Sequence, residues 1–265
     1  MDNVIRIAAS EEENNLFKQM HQIRMNPLAL IIRVLQIESN PAMMNDAMLE
    51  EELSSFFDDL ENSRLYDFQT VKGAKEIITS KTKACVDLVK KLTQSGKTVI
   101  VWCIFVKTIL TLSKLLGDCG ISVCKVYGGT EDRQKSLDKF KAGKYQVLIT
   151  NPQTLAESVS LHQICHDAVY FEYSYNLIHL LQSKDRIHRL GLARDQYTQY
   201  HFLETVFKDG MRMVSLDEEI HNRLNHKERI MLEAIENGGL EHFTTDEKEI
   251  EDILWSIGFN KEMFK

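Results

Sequence analysis

The sequence predicts an α/β protein, a parallel sheet sandwiched by helices with helical flanks at both ends. Three observations carry that prediction. The run Thr98 to Phe105 (TVIVWCIF) is too short for most helices and apolar on both faces, the pattern of a strand in the middle of a parallel sheet. After it, strand-length and helix-length stretches alternate several times, which is the order a parallel α/β sandwich requires. Glycine and proline together supply only 15 (12 + 3) of the 265 residues, too few for a collagen-like or linker-dominated chain.

The elements follow in order. Residues 1–37 read as helical, because Leu28, Ile31, Ile32 and Leu35 recur at three- and four-residue spacing and Pro27 suits a helix start. From Glu38 to Asp67 the composition turns acidic (Glu50, Glu51, Glu52, Asp58, Asp59, Glu61), which fits either a loosely packed insertion or a solvated helix face. A helix over 75–94 presents Ile77, Ile78, Val86, Leu88, Val89 and Leu92, and Gly96 stops it. Strands are then expected at 98–105, 121–127, 146–150, 168–173 and 198–203. Helices are expected at 107–116, 131–141, 176–190 and, briefly, near 154–159. From Val206 onward the strands stop. Ser215-Leu216-Asp217-Glu218 is a capping box opening a helix to about Glu236, ended by Gly238 and Gly239. The domain reading is a helical lead-in with an acidic insertion (1–70), an α/β lobe (71–205) and a helical tail (206–265). Ligands of such lobes bind at the carboxyl ends of the strands.

Composition narrows the function. A net charge of −7 argues against a wholesale basic coat for nucleic acid but leaves room for a local groove. No apolar run approaches the ~20 residues of a membrane span, and the first 13 residues are polar and acidic, so a cytoplasmic protein without membrane contact is expected. The five cysteines are odd in number and form no Cys-x-x-Cys pair, which reads as reduced structural thiols. His162, His166 and His179 with Cys165 match no common zinc spacing, and no metal site is expected. Tyr170, Phe171, Tyr173 and Tyr175 alternate along a strand, which puts half of them in the core.

Two motifs are decoys. Gly96-Lys97-Thr98 follows a helix and opens a strand, the reverse of a phosphate loop, and Lys91 stands where that loop needs glycine. Asp217-Glu218 resembles a magnesium-binding acidic pair but is accounted for by its capping role. The informative segment is Gln182-Ser183-Lys184-Asp185-Arg186-Ile187-His188-Arg189-Leu190-Gly191. Arg186 and Arg189, three apart on one helical face, each carry a planar donor fork suited to phosphate oxygens. Taken alone, the pair could equally be a cationic helix end anchored by Asp185 or Glu172.

The string Gln182, Asp185, Arg186, His188, Arg189, Gly191 resembles motif VI of superfamily 2 helicases of the Swi/Snf type, and its neighbours come in family order. Thr98 to Phe105 resembles motif IV, and Tyr127-Gly128-Gly129-Thr130 with Arg133 and Phe140 resembles the following turn and helix. Val147 to Thr150 with Ala156 to Leu161 resembles motif V. Asp167 to Tyr170 and Tyr175-Asn176 resemble the strand and Trp-Asn pair before motif VI, and His21 to Pro27 resembles the Gln-Ile-x-x-x-Pro lead-in. The likeness covers roughly residues 20–235, and its variant strings are most similar to bacterial and phage-encoded members.

The resemblance implies a RecA-like second lobe (71–205) of an ATP-dependent double-stranded DNA translocase, with Arg186 and Arg189 as catalytic arginine fingers. It implies Gln182, Glu157 and Ser158 as nucleotide-binding residues, and Thr130, Thr150 and Asn151 as donors to the DNA phosphate backbone. ATP and Mg2+ would be handled only together with a first RecA-like lobe, the implied partner, because this sequence has neither phosphate loop nor metal-binding acids. Motif V departs from the family: Leu155 to Ser160 lacks the usual glycines, so the serine hydroxyls would take over some contacts. Leu192 and Tyr175 also replace the family's Gln and Trp. A non-catalytic DNA- or protein-binding module is the alternative, which the retention of both arginines disfavours. The Asp-Arg-x-His-Arg form disfavours an RNA helicase.

Overall fold

Residues 2–47, 52, 56, 74–155, 159–188, 197–237 and 247–264 are described by the structure, a computed structural model. The elements are β1 (Asp2–Ala8), α1 (Glu11–Met20), α2 (Pro27–Ser39), α3 (Ser80–Gln94), β2 (Val99–Trp102), α4 (Val106–Asp118), β3 (Val123–Val126) and α5 (Arg133–Lys141). They continue with β4 (Val147–Thr150), β5 (Asp167–Tyr170), α6 (Leu177–Asp185), β6 (Gln199–Asp209), β7 (Arg212–Val214), α7 (Leu216–Asn237) and α8 (Glu247–Ser256). Short 3-10 turns lie at Pro41–Asn45 and Lys261–Met263. Two compact units result: Met1–Ile7, Ser80–Tyr173 and Ile178–Leu203 form one, and Ala8–Thr79, Ser174–Leu177 and Glu204–Lys265 the other.

The first unit holds the predicted sheet, in the order β1-β6-β5-β2-β4-β3. β2 pairs in parallel with β4 on one side and β5 on the other, β3 with β4, and β6 with β5. All four residues of β2, β4 and β5 are buried, so these strands face packed layers on both sides, as their unbroken apolar runs require. On one face Val99, Val101, Cys103, Val147, Ile149 and Val169 pack with Cys85 and Val89 of α3 and Ile109, Leu112 and Leu116 of α4. Burial pushes the Cys85 and Cys165 thiols up to about 12, so both behave as inert apolar groups.

The first eight residues depart from the helical expectation, since β1 pairs with β6. Only Ile5 and Ile7 of its seven residues lean on the core, a period-two signal too short to outweigh the helical pattern after it. The strands also continue past Val206: β6 runs to Asp209 and turns through Gly210, at φ 61°, into antiparallel β7. The four aromatics expected to be half core, Tyr170, Phe171, Tyr173 and Tyr175, are all buried, which removes them as a base-stacking platform.

In the second unit α2 is buried on every side rather than along one stripe, a helix at the centre of its own core. Phe17 of α1 stacks on Phe207 at 4.4 Å and meets Phe259 edge-on at 5.6 Å. Ser215 caps α7 where the sequence places the helix start: Glu218 N donates to Ser215 Oγ at 3.2 Å. Most of the acidic segment 38–67 lies outside the described residues, and within it Glu52 and Phe56 are buried.

At the amino ends of β2, β5 and β6, Lys97 Nζ and His201 Nε2 each lie 3.2 Å from Asp167 Oδ1, and Tyr197 Oη donates to Asp167 Oδ2 at 3.3 Å. Burial pushes the Asp167 carboxyl up, but the hydrogen bonds from His201 and Lys97 outweigh it and hold the group below its ordinary value. A carboxyl lowered on folding contributes stability above its unfolded pKa of about 3.9 and loses it as pH falls through the folded value. Asp167→Asn should therefore lower stability at neutral pH by about 1–3 kcal/mol, with the gap to wild type closing below about pH 4. Circular dichroism denaturation across pH checks both parts.

Candidate functional site

The carboxyl ends of β3, β4, β2 and β5 are level, because Val126, Thr150, Trp102 and Tyr170 form one row of register partners, which Phe202 within the longer β6 continues. The loops leaving that row carry most of the residues singled out from sequence. After β3, Thr130 closes its own turn: Tyr127 N donates to its Oγ1 at 3.0 Å, and Thr130 N donates to Tyr127 O at 2.9 Å. Arg133 adds a bond to Gly128 O at 2.7 Å. Gly129 is required there, since a Cβ would come within 2.9 Å of the Tyr127 ring. Thr130 stays half-exposed, with its hydroxyl proton directed to no described residue.

After β4, Thr150 and Asn151 are fully buried. Thr150 Oγ1 donates to Asn151 O at 3.3 Å, and Asn151 Oδ1 accepts from Thr154 N at 3.1 Å. Their side chains shape the loop from inside, which corrects the expectation that both reach out to a phosphate. Glu157 and Ser158 lie outside the described residues, as does the middle of the short helix expected near 154–159.

After β5 stands a residue that sequence reasoning had considered only as an anchor for the arginines. Glu172, buried, accepts from Ile104 N at 2.7 Å and Phe105 N at 2.9 Å through Oε2, and from Thr108 Oγ1 at 2.7 Å through Oε1. It caps α4 from another strand, where the preceding residue Phe105 offers no side-chain cap, and its charge lies at the positive end of the helix dipole. Its partners lie 64 to 68 residues away in sequence, so no local pattern marks it.

Arg186 does not extend α6. The helix ends at Asp185 and tightens, with Arg186 N on Ser183 O and Ile187 N on Lys184 O, both at 3.3 Å. The cause is Ile187, fully buried, together with Leu161 N, which donates to Arg186 O at 2.8 Å. The helix expected to reach 190 therefore ends at Asp185, and Arg189 lies outside the described residues. The Arg186 side chain is 8% exposed and, among the described residues, has no hydrogen-bond or ion-pair partner. None of its guanidinium nitrogens is among the sealed-off polar atoms that lack a partner, so the fork still meets solvent and is open to an anion from outside. Gln182 is exposed one turn earlier, with no bond to Arg186.

Both decoys are in structural use. Gly96 adopts φ 77° at the end of α3, Lys97 is committed to Asp167, and Asp217 Oδ2 accepts from Thr205 N at 2.8 Å. Among the described residues no group of three His, Cys, Asp or Glu could hold a metal ion, and no helix is long and apolar enough to cross a membrane.

Residues 80–191 match the helicase conserved C-terminal domain. The uncharacterized ATP-dependent helicase YqhH of Bacillus subtilis is 29% identical over 191 residues, covering 69% of this chain and 31% of the relative. ATP-dependent helicase fft1 of Schizosaccharomyces pombe is 20% identical over 199 residues, covering 69% and 21%. The chain thus spans a third or less of the curated relatives it matches. Among solved structures, the C-terminal part of the Fun30 ATPase domain superimposes with a TM-score of 0.64 at 14% identity, over 96% of both chains. The Sulfolobus solfataricus SWI2/SNF2 ATPase C-terminal domain gives 0.53 at 12% identity, over 98% of this chain and 99% of its own.

Replacing Glu172 by Ala should cost about 1–3 kcal/mol, because three donors at the start of α4 lose their acceptor. A thermal melt measures it, and a melting temperature equal to wild type would contradict the capping role.

Proposed function

We propose that this chain, whose residues 80–191 match the helicase conserved C-terminal domain and whose fold is similar to that of SWI2/SNF2 ATPase C-terminal domains, acts as the second motor lobe of an ATP-dependent double-stranded DNA translocase. The observation that carries the reading is Arg186, a permanent cation on a largely buried side chain, its backbone bonded on both sides and its fork open to solvent with no partner among the described residues.

The chemistry follows from that state. ATP is the substrate, bound with Mg2+ by a first lobe, and this chain adds charge to its far side. Arg186, and Arg189 beside it in sequence, neutralise the charge developing on the transferred phosphoryl group, a contribution of about 10³ to 10⁵ in rate in related phosphoryl transfers. A side chain whose stem is packed and whose planar fork stays open presents its donors from one fixed place. In this reading Gln182, with Glu157 and Ser158 assigned by the sequence resemblance, is a nucleotide-binding residue. Contact to the DNA backbone falls first to half-exposed Thr130, with Thr150 and Asn151 holding the adjoining loop in shape.

Two outcomes are expected. Because Asp217 is used within its own unit and Lys97 on Asp167, the chain alone should hydrolyse ATP at background rate, with or without duplex DNA. A DNA-stimulated turnover near the ~1 to 10³ s⁻¹ of ordinary enzymes, from pure protein, would contradict the reading. Combined with a first lobe, Arg186→Ala should lower kcat by about 10³-fold or more while leaving ATP binding nearly unchanged, and Arg186→Lys should recover little, since a point charge cannot replace a planar fork. If Arg186 merely fills space, alanine shifts the melting temperature and spares turnover, so ATPase rate and melting temperature measured on one preparation separate the two.

A further inference from the structure

The turn carrying Arg186 is tied to the sheet by two hydroxyls outside the arginine pair. Ser183 and Tyr170 are each 1% exposed, and their oxygens lie 2.8 Å apart. Ser183 Oγ donates its one proton to Leu180 O at 2.7 Å, so Tyr170 Oη is the donor in the pair and Ser183 Oγ the acceptor. The Tyr170 ring cannot swing away: it stacks on Phe202 at 4.5 Å and 6° and meets Tyr173 edge-on at 6.5 Å. Ser183 in turn accepts Arg186 N on its own carbonyl. A continuous chain of bonds thus runs from the end of β5, through the last turn of α6, to the backbone of Arg186.

We infer that Tyr170 and Ser183 are positioning residues for Arg186, fixing the point from which its guanidinium reaches the transferred phosphoryl group. The inference rests on the finger reading above. Both hydroxyls are buried, so they act through the turn rather than on a ligand directly. Their hydrogen bond holds the last turn of α6 at one distance from β5, while Leu161 N on the Arg186 carbonyl and buried Ile187 hold the other side of the turn. A finger acts through geometry that changes little between binding and reaction, and a displacement of about 1 Å can cost about 10²-fold in rate. Loss of either hydroxyl therefore lowers kcat and spares ATP KM, because ground-state binding does not depend on the finger.

The test uses the assembled two-lobe motor and four variants: Tyr170→Phe, which keeps the stacked ring, Ser183→Ala, the double variant, and Arg186→Ala as reference. DNA-stimulated kcat and ATP KM are measured below the melting temperature of each. The expected result is a loss of about 10²-fold in kcat for either single variant, unchanged KM, and a double variant no worse than the singles, since one shared bond is lost in all three. If Arg186→Ala is inactive while Tyr170→Phe and Ser183→Ala turn over like wild type, the inference is overturned and the finger reading stands. If Arg186→Ala turns over normally, the finger reading fails and takes this inference with it. Losses that multiply in the double variant also overturn it, because the two hydroxyls then act separately. Should Ser183→Ala fail to fold, Tyr170→Phe decides, together with hydrogen exchange on the wild-type motor. There the amides of Arg186, Ile187 and His188 exchange slowly if the turn is held, and exchange at open-chain rates would refute the clamp.

Discussion

The first unit depends on the register of one four-residue strand. Val99 to Trp102 is hydrogen-bonded on both sides, Val99 opposite both Val147 and Asp167, and Trp102 opposite both Thr150 and Tyr170. A slip of one residue would turn every side chain of β2 to the other face, and with both faces packed neither alternative is tolerated. The ends of the neighbouring strands are fixed by the same constraint. The turn with Thr130, the loop starting at Asn151 and the carboxylate of Glu172 therefore leave the sheet at one height. Packing alone, through Val99, Val101, Val147, Ile149 and Val169, brings together groups far apart in sequence.

Charge then divides the sheet into two ends with different duties. At the amino ends Asp167 gathers Lys97, His201 and Tyr197, and Asn3 of β1 reaches His201 Nδ1 at 3.0 Å, so the charge is spent on holding strands. At the carboxyl ends Glu172 is spent on α4. Arg186 is different, since its backbone is saturated and its side chain is not, among the described residues. The groups that hold the sheet are thus separate from Arg186, whose fork engages none of them.

Much of the sheet was legible because parallel strands are buried on both faces and their apolar runs need no partner to be recognised. Val99 to Trp102, Val147 to Thr150 and the helices between them fall where the rhythm puts them. β1 was missed because only Ile5 and Ile7 betray it. The extension of β6 carried a readable sign, Asp209-Gly210 between two alternating stretches, which marks a hairpin. The helical reading of Arg186 failed because Ile187 is drawn into the core and Leu161 takes the Arg186 carbonyl. Those are tertiary demands that a three-residue spacing cannot express. The roles of Glu172 and Tyr170 were out of reach for the same reason, since what defines each is a partner 13 to 68 residues distant.

Burying most of an arginine side chain creates a physical conflict. A cation drawn out of water tends to pull the surrounding chain toward solvent or toward an internal carboxylate. The structure resolves the conflict by occupying the alternatives. Glu172, the nearest buried carboxylate in sequence, is already held by two amides and the Thr108 hydroxyl, and Asp167 already has Lys97 and His201. Ile187 on one side and Ser183 on the other, both buried, keep the turn from unwinding into solvent. With the internal carboxylates engaged and outward motion opposed, the fork is left to solvent or to an anion brought from outside, which under the proposed function is the transferred phosphoryl group.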